Sequence, residues 1–313
     1  MISKNNPCVV WRFMDGKPGH ESQTRGLVLA LQERFAVDCH EIAVIKGWKS
    51  IQSLLAGSGQ WNRLPKPGLL LGCGHRTHLQ LLAARKRFGG RAIVCMKPSL
   101  PLSWFDLCLV PEHDQVRESG RVLVTQGPLN TIRPTDRPAD PDAGLILLGG
   151  PSKHHGWNMD WLLRQISELL CANPAIHWTL STSRRTPTDT LSALPDGLRS
   201  RLNLVDWQHS SVGWLAEKLK ECSHVRVTED SASMIYESLT ARALVGVIEV
   251  PRLKLGRVAS GVDRLVSQGL VFRGAETPAS NGPRKILREA DRCAELIGKR
   301  FLSEALPAAD SAA

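Results

Sequence analysis

HVRVTEDSASMIYESL, residues 224–239, is the stretch on which the fold reading turns. A β-rich run, His224-Val225-Arg226-Val227, enters a polar turn, Thr228-Glu229-Asp230-Ser231-Ala232-Ser233, and an apolar helix start follows at Met234. Strand, turn and helix in direct succession are the half-unit of a βα fold. Asp230, Ser231 and Ser233 are each able to cap the helix. Amides at a helix start point toward any anion that approaches along the helix axis. Glu237 shares a helix face with Ser233, four residues earlier. A carboxylate beside amides and hydroxyls suits a ligand with phosphates at one end and sugar hydroxyls at the other. The same residues also read as a well-capped helix after a buried strand.

The βα pattern repeats outward from this stretch. Strands are expected at 8–13, 39–44, 68–71, 92–96, 107–110 and 122–125, with helical runs at 21–35, 50–55 and 79–88 between them. Three prolines and several charges at 133–142 read as a linker. Beyond it strands are expected at 145–148, 177–180, 203–205, 225–228 and 245–250, with helices at 159–170, 212–219, 231–242 and 283–301. The chain is therefore read as α/β, with parallel sheets covered by helices on both faces. Its domains are placed at 1–135 and 143–305, joined by a linker at 136–142 and followed by a disordered tail at 306–313.

Bulk composition narrows the function classes. The chain has 313 residues, 42% of them hydrophobic, enough for two ordinary domains. No apolar run approaches the ~20 residues needed to span a bilayer, and residues 1–7 carry no apolar signal core. A cytoplasmic location is expected, or a peripheral one on the cytoplasmic face of the inner membrane. Eight cysteines without a CxxC pair read as small core residues, not as a zinc or redox motif. A net charge of +10 favours an acidic partner. A single tyrosine and no aromatic-studded basic stretch argue against nucleic acid. A phosphate pocket or an anionic membrane surface fits the scattered charge better. The mixed apolar and cationic stretch 45–63 reads either as interfacial or as core packing of Trp48, Ile51 and Leu55.

Chemistry is expected in the loops after the strands, because ligands of open α/β folds bind at the carboxyl ends of strands. In the loop from Met14 to Gln23, Lys17 neutralises a phosphate or carboxylate, and His20 sits at the helix mouth. A histidine there serves as a general base. In the Gly72-Cys73-Gly74-His75-Arg76-Thr77 loop, Arg76 is a candidate anion contact. Thr77 stands where a dinucleotide fingerprint needs its third glycine, so NAD is not expected. Glu112, His113 and Asp114 read as a polar turn or an acid–base group. Gly149-Gly150-Pro151-Ser152-Lys153 resembles an anion cradle, and Arg184-Arg185 with flanking hydroxyls suits a diphosphate. Asp140-Pro141-Asp142 mimics a metal-binding DxD motif but is assigned to the linker. No metal and no cofactor are expected.

Taken in order, these loops resemble those of the mitochondrial-fission (elongated-mitochondria) family and its bacterial relatives. The matching segments are DGKPGHESQ from Asp15, GCGHRT from Gly72, PLSWFD from Pro101 with VPEHD from Val110, GGPSKH from Gly149, STSRRTP from Ser181, and TEDSASM from Thr228. Bacterial members are regarded as glycosyltransferases of the lipooligosaccharide core. The resemblance implies a GT-B-like fold, in which two Rossmann-like domains face a cleft and the second holds the nucleotide-sugar. It puts Ser152, Lys153, Arg184, Arg185, Ser231 and Ser233 on the diphosphate, Glu237 on a ribose or sugar hydroxyl, and His20 in the place of a base. The expected activity is metal-independent transfer of a sugar from a nucleoside-diphosphate sugar to a lipopolysaccharide-core or other membrane-linked acceptor, with His20 or Glu21 taking the acceptor proton. A nucleotide-sugar 2-epimerase and a non-catalytic membrane-associated adaptor are the alternatives.

Overall fold

The computed structural model describes residues 7–44, 60–134, 139–211, 213–254, 256–277 and 287–302. They divide into two compact units. The first runs to Thr131 and takes the chain back from Arg288; the second is Ile132–Leu287.

In the first unit β1 (Cys8–Met14), α1 (Pro18–Gln32) and β2 (Val37–Ala43) are followed by β3 (Leu69–Cys73), α2 (His75–Phe88), β4 (Arg91–Cys95), β5 (Leu107–Pro111) and β6 (Val122–Thr125). All six strands are parallel, in the order β2-β1-β3-β4-β5-β6. Every residue of β3 and β5 is buried, as expected of strands covered on both faces. Leu27 and Leu31 of α1 cover one face, and Leu81 and Ala84 of α2 belong to the core on the other.

The second unit contains β7 (Asp140–Leu147), α3 (Met159–Ala172), β8 (His177–Ser181), α4 (Asp196–Arg199), β9 (Leu202–Val205), α5 (Trp214–Glu221), β10 (Cys222–Thr228), α6 (Ala232–Thr240), β11 (Leu244–Ile248), α7 (Arg257–Ser267) and β12 (Phe272–Arg273). Its strands are also parallel, in the order β12-β11-β10-β7-β8-β9. Counted within the unit and read from the β9 edge, this is 3-2-1-4-5-6, the dinucleotide-fold arrangement. Side chains from α3 fill one face with Leu162, Ile166 and Leu169. Those from α5, α6 and α7 fill the other with Leu219, Ile235 and Val262.

Two expected boundaries move. Asp140-Pro141-Asp142 is the exposed start of β7, not linker, and Asp140 pairs with Cys222 across an irregular register. A proline is tolerated there because the strand end is irregular. The last helix, α8 (Glu289–Ile297), returns to the first unit instead of closing the second. Ala290, Cys293, Ala294 and Ile297 form a helical stripe that packs into the core holding Leu27 and Leu31. Glu289 accepts the Gln126 amide at 2.9 Å, and Asp291 meets Arg34 at 3.4 Å. The expected helix at 50–55, the stretch 45–59, residues 135–138 and the tail at 306–313 lie outside the described residues. Gln60–Arg63 is a short 3-10 turn whose Trp61 is buried against Trp11, ring centroids 6.2 Å apart, so this end of the stretch is core and not interfacial. No described helix is long and apolar enough to cross a membrane.

Candidate functional site

In the second unit the strand order reverses between β7 and β10, and the loops that leave their carboxyl ends part there. Such a parting forms the ligand crevice of open α/β sheets. Asp230 organises it. Its carboxylate is fully buried, accepts the Gly150 amide at 3.0 Å and pairs with Arg185 Nη2 at 2.6 Å. Arg185 Nη1 donates to the Gly150 carbonyl at 2.9 Å. Gly149 donates its amide to Thr228 Oγ1 at 2.7 Å, and its carbonyl accepts Ser183 Oγ at 3.0 Å. The glycines are required by space: a Cβ on Gly149 would lie 2.2 Å from the Asp230 carboxylate, and one on Gly150 would lie 2.0 Å from the Arg185 carbonyl. Three loops are thus locked together at the ends of β7, β8 and β10.

This geometry redistributes the expected roles. The Gly149 and Gly150 amides are spent on protein acceptors, so the cradle expected there is already filled. Asp230 does not cap α6 but holds Arg185. Ser231 occupies the capping position of α6, yet its side chain makes no capping hydrogen bond. Ser152 Oγ accepts the amides of His154 and His155 at 3.2 and 3.1 Å and closes its own turn. Arg184, Lys153 and Ser233 are exposed, with no partner among the described residues. Of the two adjacent arginines, then, Arg185 is held by Asp230 and Gly150, and Arg184 is exposed beside it.

A charge network missed in the sequence braces the neighbouring loop. Buried Glu229 pairs with Arg252 at 2.7 Å, Arg252 reaches Asp263 at 2.8 Å, and Arg273 joins Asp263 at 2.7 Å and Glu249 at 2.6 Å. Arg252 and Arg273 follow Glu229 and Glu249 at distances along the chain that neither helical nor strand periodicity reveals. His155 is buried beside this network, and desolvation lowers its pKa, so it is neutral near pH 7.

Glu237 is partly buried on α6 and has no partner among the described residues. Burial pushes its carboxyl from 4.5 up to about 7. A carboxyl raised in the folded state favours folding while it stays protonated. That contribution is complete below pH 4.5 and is lost as pH rises through 7, by about 2–3 kcal/mol after allowance for partial exposure. Glu237→Gln is expected to raise Tm at pH 8 and leave it unchanged at pH 4.5. Thermal melts at the two pH values check this, and an equal shift at both would contradict it.

In the first unit the order reverses between β1 and β3, and the same rule points to their carboxyl ends. Asp15, its side chain 1% exposed, sits 2.8 Å from His20 Nδ1. An ionised aspartate there favours the proton on Nδ1 and leaves the Nε2 lone pair free. Gly74, at φ +81°, brings the second loop against the histidine: a Cβ would lie 2.4 Å from the His20 ring. Glu21 Oε1 accepts the Gly16 amide at 2.9 Å, so it braces the loop instead of standing free as a base. Lys17 and Arg76 are exposed at the starts of α1 and α2. Glu112, His113 and Asp114 form a 3-10 turn after β5. The motif DGKPGH announced His20, but Asp15 as its partner follows only from the folded loop.

Comparison with known proteins agrees with this architecture. The family model described as mitochondrial fission ELM1 matches residues 18–301. An uncharacterized protein of Rickettsia prowazekii (strain Madrid E), RP120, is 21% identical over 288 residues, covering 75% of this chain and 80% of its own. Among solved structures, the UDP-GlcNAc 2-epimerase from Neisseria meningitidis bound to UDP-GlcNAc superposes with a TM-score of 0.52 at 12% identity, covering 93% of this chain and 91% of that one. Phytolacca americana UGT2, complexed with UDP-2fluoro-glucose and pterostilbene, gives 0.51 at 10% identity, covering 95% and 91%. The shared feature at these identities is the fold, the GT-B-like α/β arrangement expected from the loops.

Proposed function

We propose, starting from the fact that this chain belongs to the mitochondrial fission ELM1 family, that it is a nucleotide-sugar enzyme and, within that class, a glycosyltransferase. The observation that carries this reading is the exposed Arg184, unpartnered among the described residues, beside the Asp230–Arg185–Gly150 clamp at the switch point of a dinucleotide-fold sheet. An arginine held at that place grips a diphosphate with two parallel N–H donors. Ser231 and Ser233 at the start of α6, together with its amides, add donors for the same charge, and Lys153 adds a cation. Glu237 accepts from ribose or sugar hydroxyls.

The donor is a nucleoside-diphosphate sugar. As the bond to the sugar breaks, negative charge grows on the diphosphate, and Arg184 with the helix amides stabilises it. His20, oriented by Asp15, takes the proton of the acceptor hydroxyl through Nε2. The acceptor class is a lipid-linked or lipopolysaccharide-core sugar. The net charge of +10 suits an enzyme working at an anionic membrane surface on the cytoplasmic side.

The test is to incubate the protein with UDP-sugars in the presence and absence of a core-oligosaccharide acceptor. Transfer requires nucleoside diphosphate release that depends on acceptor. A new UDP-sugar formed without acceptor would replace this reading by 2-epimerisation. Neither product, from protein that binds no nucleotide, would leave a binding adaptor.

A further inference from the structure

Each sheet buries one arginine in the middle of a strand, and the two are treated differently. Arg12 on β1 has all three nitrogens occupied: Nε donates to Thr24 Oγ1 at 2.8 Å, Nη2 to the Glu21 carbonyl at 2.6 Å, and Nη1 to the carboxylate of Glu41. Arg226 on β10 is 1% exposed and has no carboxylate partner among the described residues. Its Nη2 donates to Thr277 Oγ1 at 3.0 Å and to the Ala275 carbonyl at 3.3 Å, while Nε and Nη1 find no acceptor among the described residues.

The fold makes room for this group. Arg226 pairs in register with Gly246 on β11, where a Cβ would lie 2.9 Å from its Cδ and Nε. Its guanidinium lies 4.4 Å from the Phe272 ring centroid and 5.7 Å from that of Trp178. Aromatic faces attract a cation but do not neutralise it. Burial lowers its pKa to about 10, so the side chain stays charged at neutral pH. A buried charge without a counter-ion is costly, and native proteins rarely leave one so.

Arg226 forms part of the wall of a cavity of about 410 Å³ between α3 and strands β11 and β12 at one side of the sheet. Arg164 of α3 lines it too, exposed and without a partner among the described residues. The acids in the lining are Glu249, already paired with Arg273, and Glu168, exposed one turn from Arg164. Trp161, Leu169 and Val247 supply apolar surface. The volume falls in the range of small-molecule sites. The cavity lies on the α3 face and reaches Glu249 and Gly274, just past the carboxyl ends of β11 and β12, but none of Ser152, Lys153, Arg184, Ser231 and Ser233 lines it.

We propose that this cavity is a second ligand site, taking a small organic oxyanion, a carboxylate or a phosphate monoester, whose charge pairs with Arg226 and whose apolar part lies along α3. Arg164 closes on the anion at the mouth. The reading is independent of the sugar-transfer reaction.

Arginine-selective 15N NMR of the full chain tests it. The Nε–Hε resonance of Arg226 is identified by its loss in Arg226→Met, or in Arg226→Lys if the first variant fails to fold. Inorganic phosphate and acetate are added separately to the unmodified protein and to Arg184→Ala. A saturable shift of that resonance, alike in both proteins, is expected, and the anion that produces it names the source of the charge. Arg164→Ala is expected to weaken the effect about tenfold. If neither anion moves the resonance at millimolar concentration, or if the shift vanishes in Arg184→Ala, there is no second site.

Discussion

Asp230→Ala is expected to lower stability by about 2–3 kcal/mol, a fall in Tm of roughly 5–10 °C. The Asp230 carboxylate is fully buried and holds two loops at once, through the Gly150 amide and the Arg185 guanidinium. Alanine leaves that amide buried and unpaired. Arg185 is 42% exposed and recovers solvation, which keeps the loss below that of a deeply buried ion pair. Asp230→Asn keeps an acceptor for Gly150 but weakens the grip on Arg185, so a smaller loss is expected. Thermal and urea denaturation measure both. A Tm of Asp230→Ala equal to that of the unmodified protein would mean that the three loops are held by something else.

His20→Ala is expected to cut the transfer rate by about 10²–10⁴-fold, with nucleotide affinity unchanged. The two effects are expected to separate because His20 belongs to the first unit and the arginine loop to the second. Asp15→Asn should lose part of the same factor, since the amide no longer holds the Nδ1–H tautomer. Glu21→Gln should lose less, because its carboxylate braces the Gly16 amide. Steady-state kinetics beside direct nucleotide titration resolve the two effects. A His20→Ala enzyme of full activity would remove His20 from the reaction.

Much of this was legible before folding. The alternation of apolar runs with polar, glycine-rich turns located the sheets, because a strand buried on both faces must be apolar throughout and a helix start must carry small polar residues. The order of the loops also pointed to the family. Less legible were features settled by distant partners. Pro141 looks like a linker residue until Cys222 pairs beside it. The stripe of α8 fits any apolar face of the right width, and nothing in its own residues says that it belongs with α1. Adjacent Arg184 and Arg185 look equivalent, yet Asp230, two strands further along the chain, takes only one. Capping propensity likewise favoured Asp230, Ser231 or Ser233 for α6, but the buried clamp claimed the aspartate first.

Saturation-transfer NMR of the unmodified protein against UDP, GDP, CMP and ADP, repeated with Arg184→Ala, bears most directly on the claim that the second unit holds a nucleotide-sugar. Binding selective for one nucleoside diphosphate is predicted, weakened at least about tenfold by the substitution. Nucleotide signals absent at millimolar concentration from folded protein, or equally strong in Arg184→Ala, would contradict it.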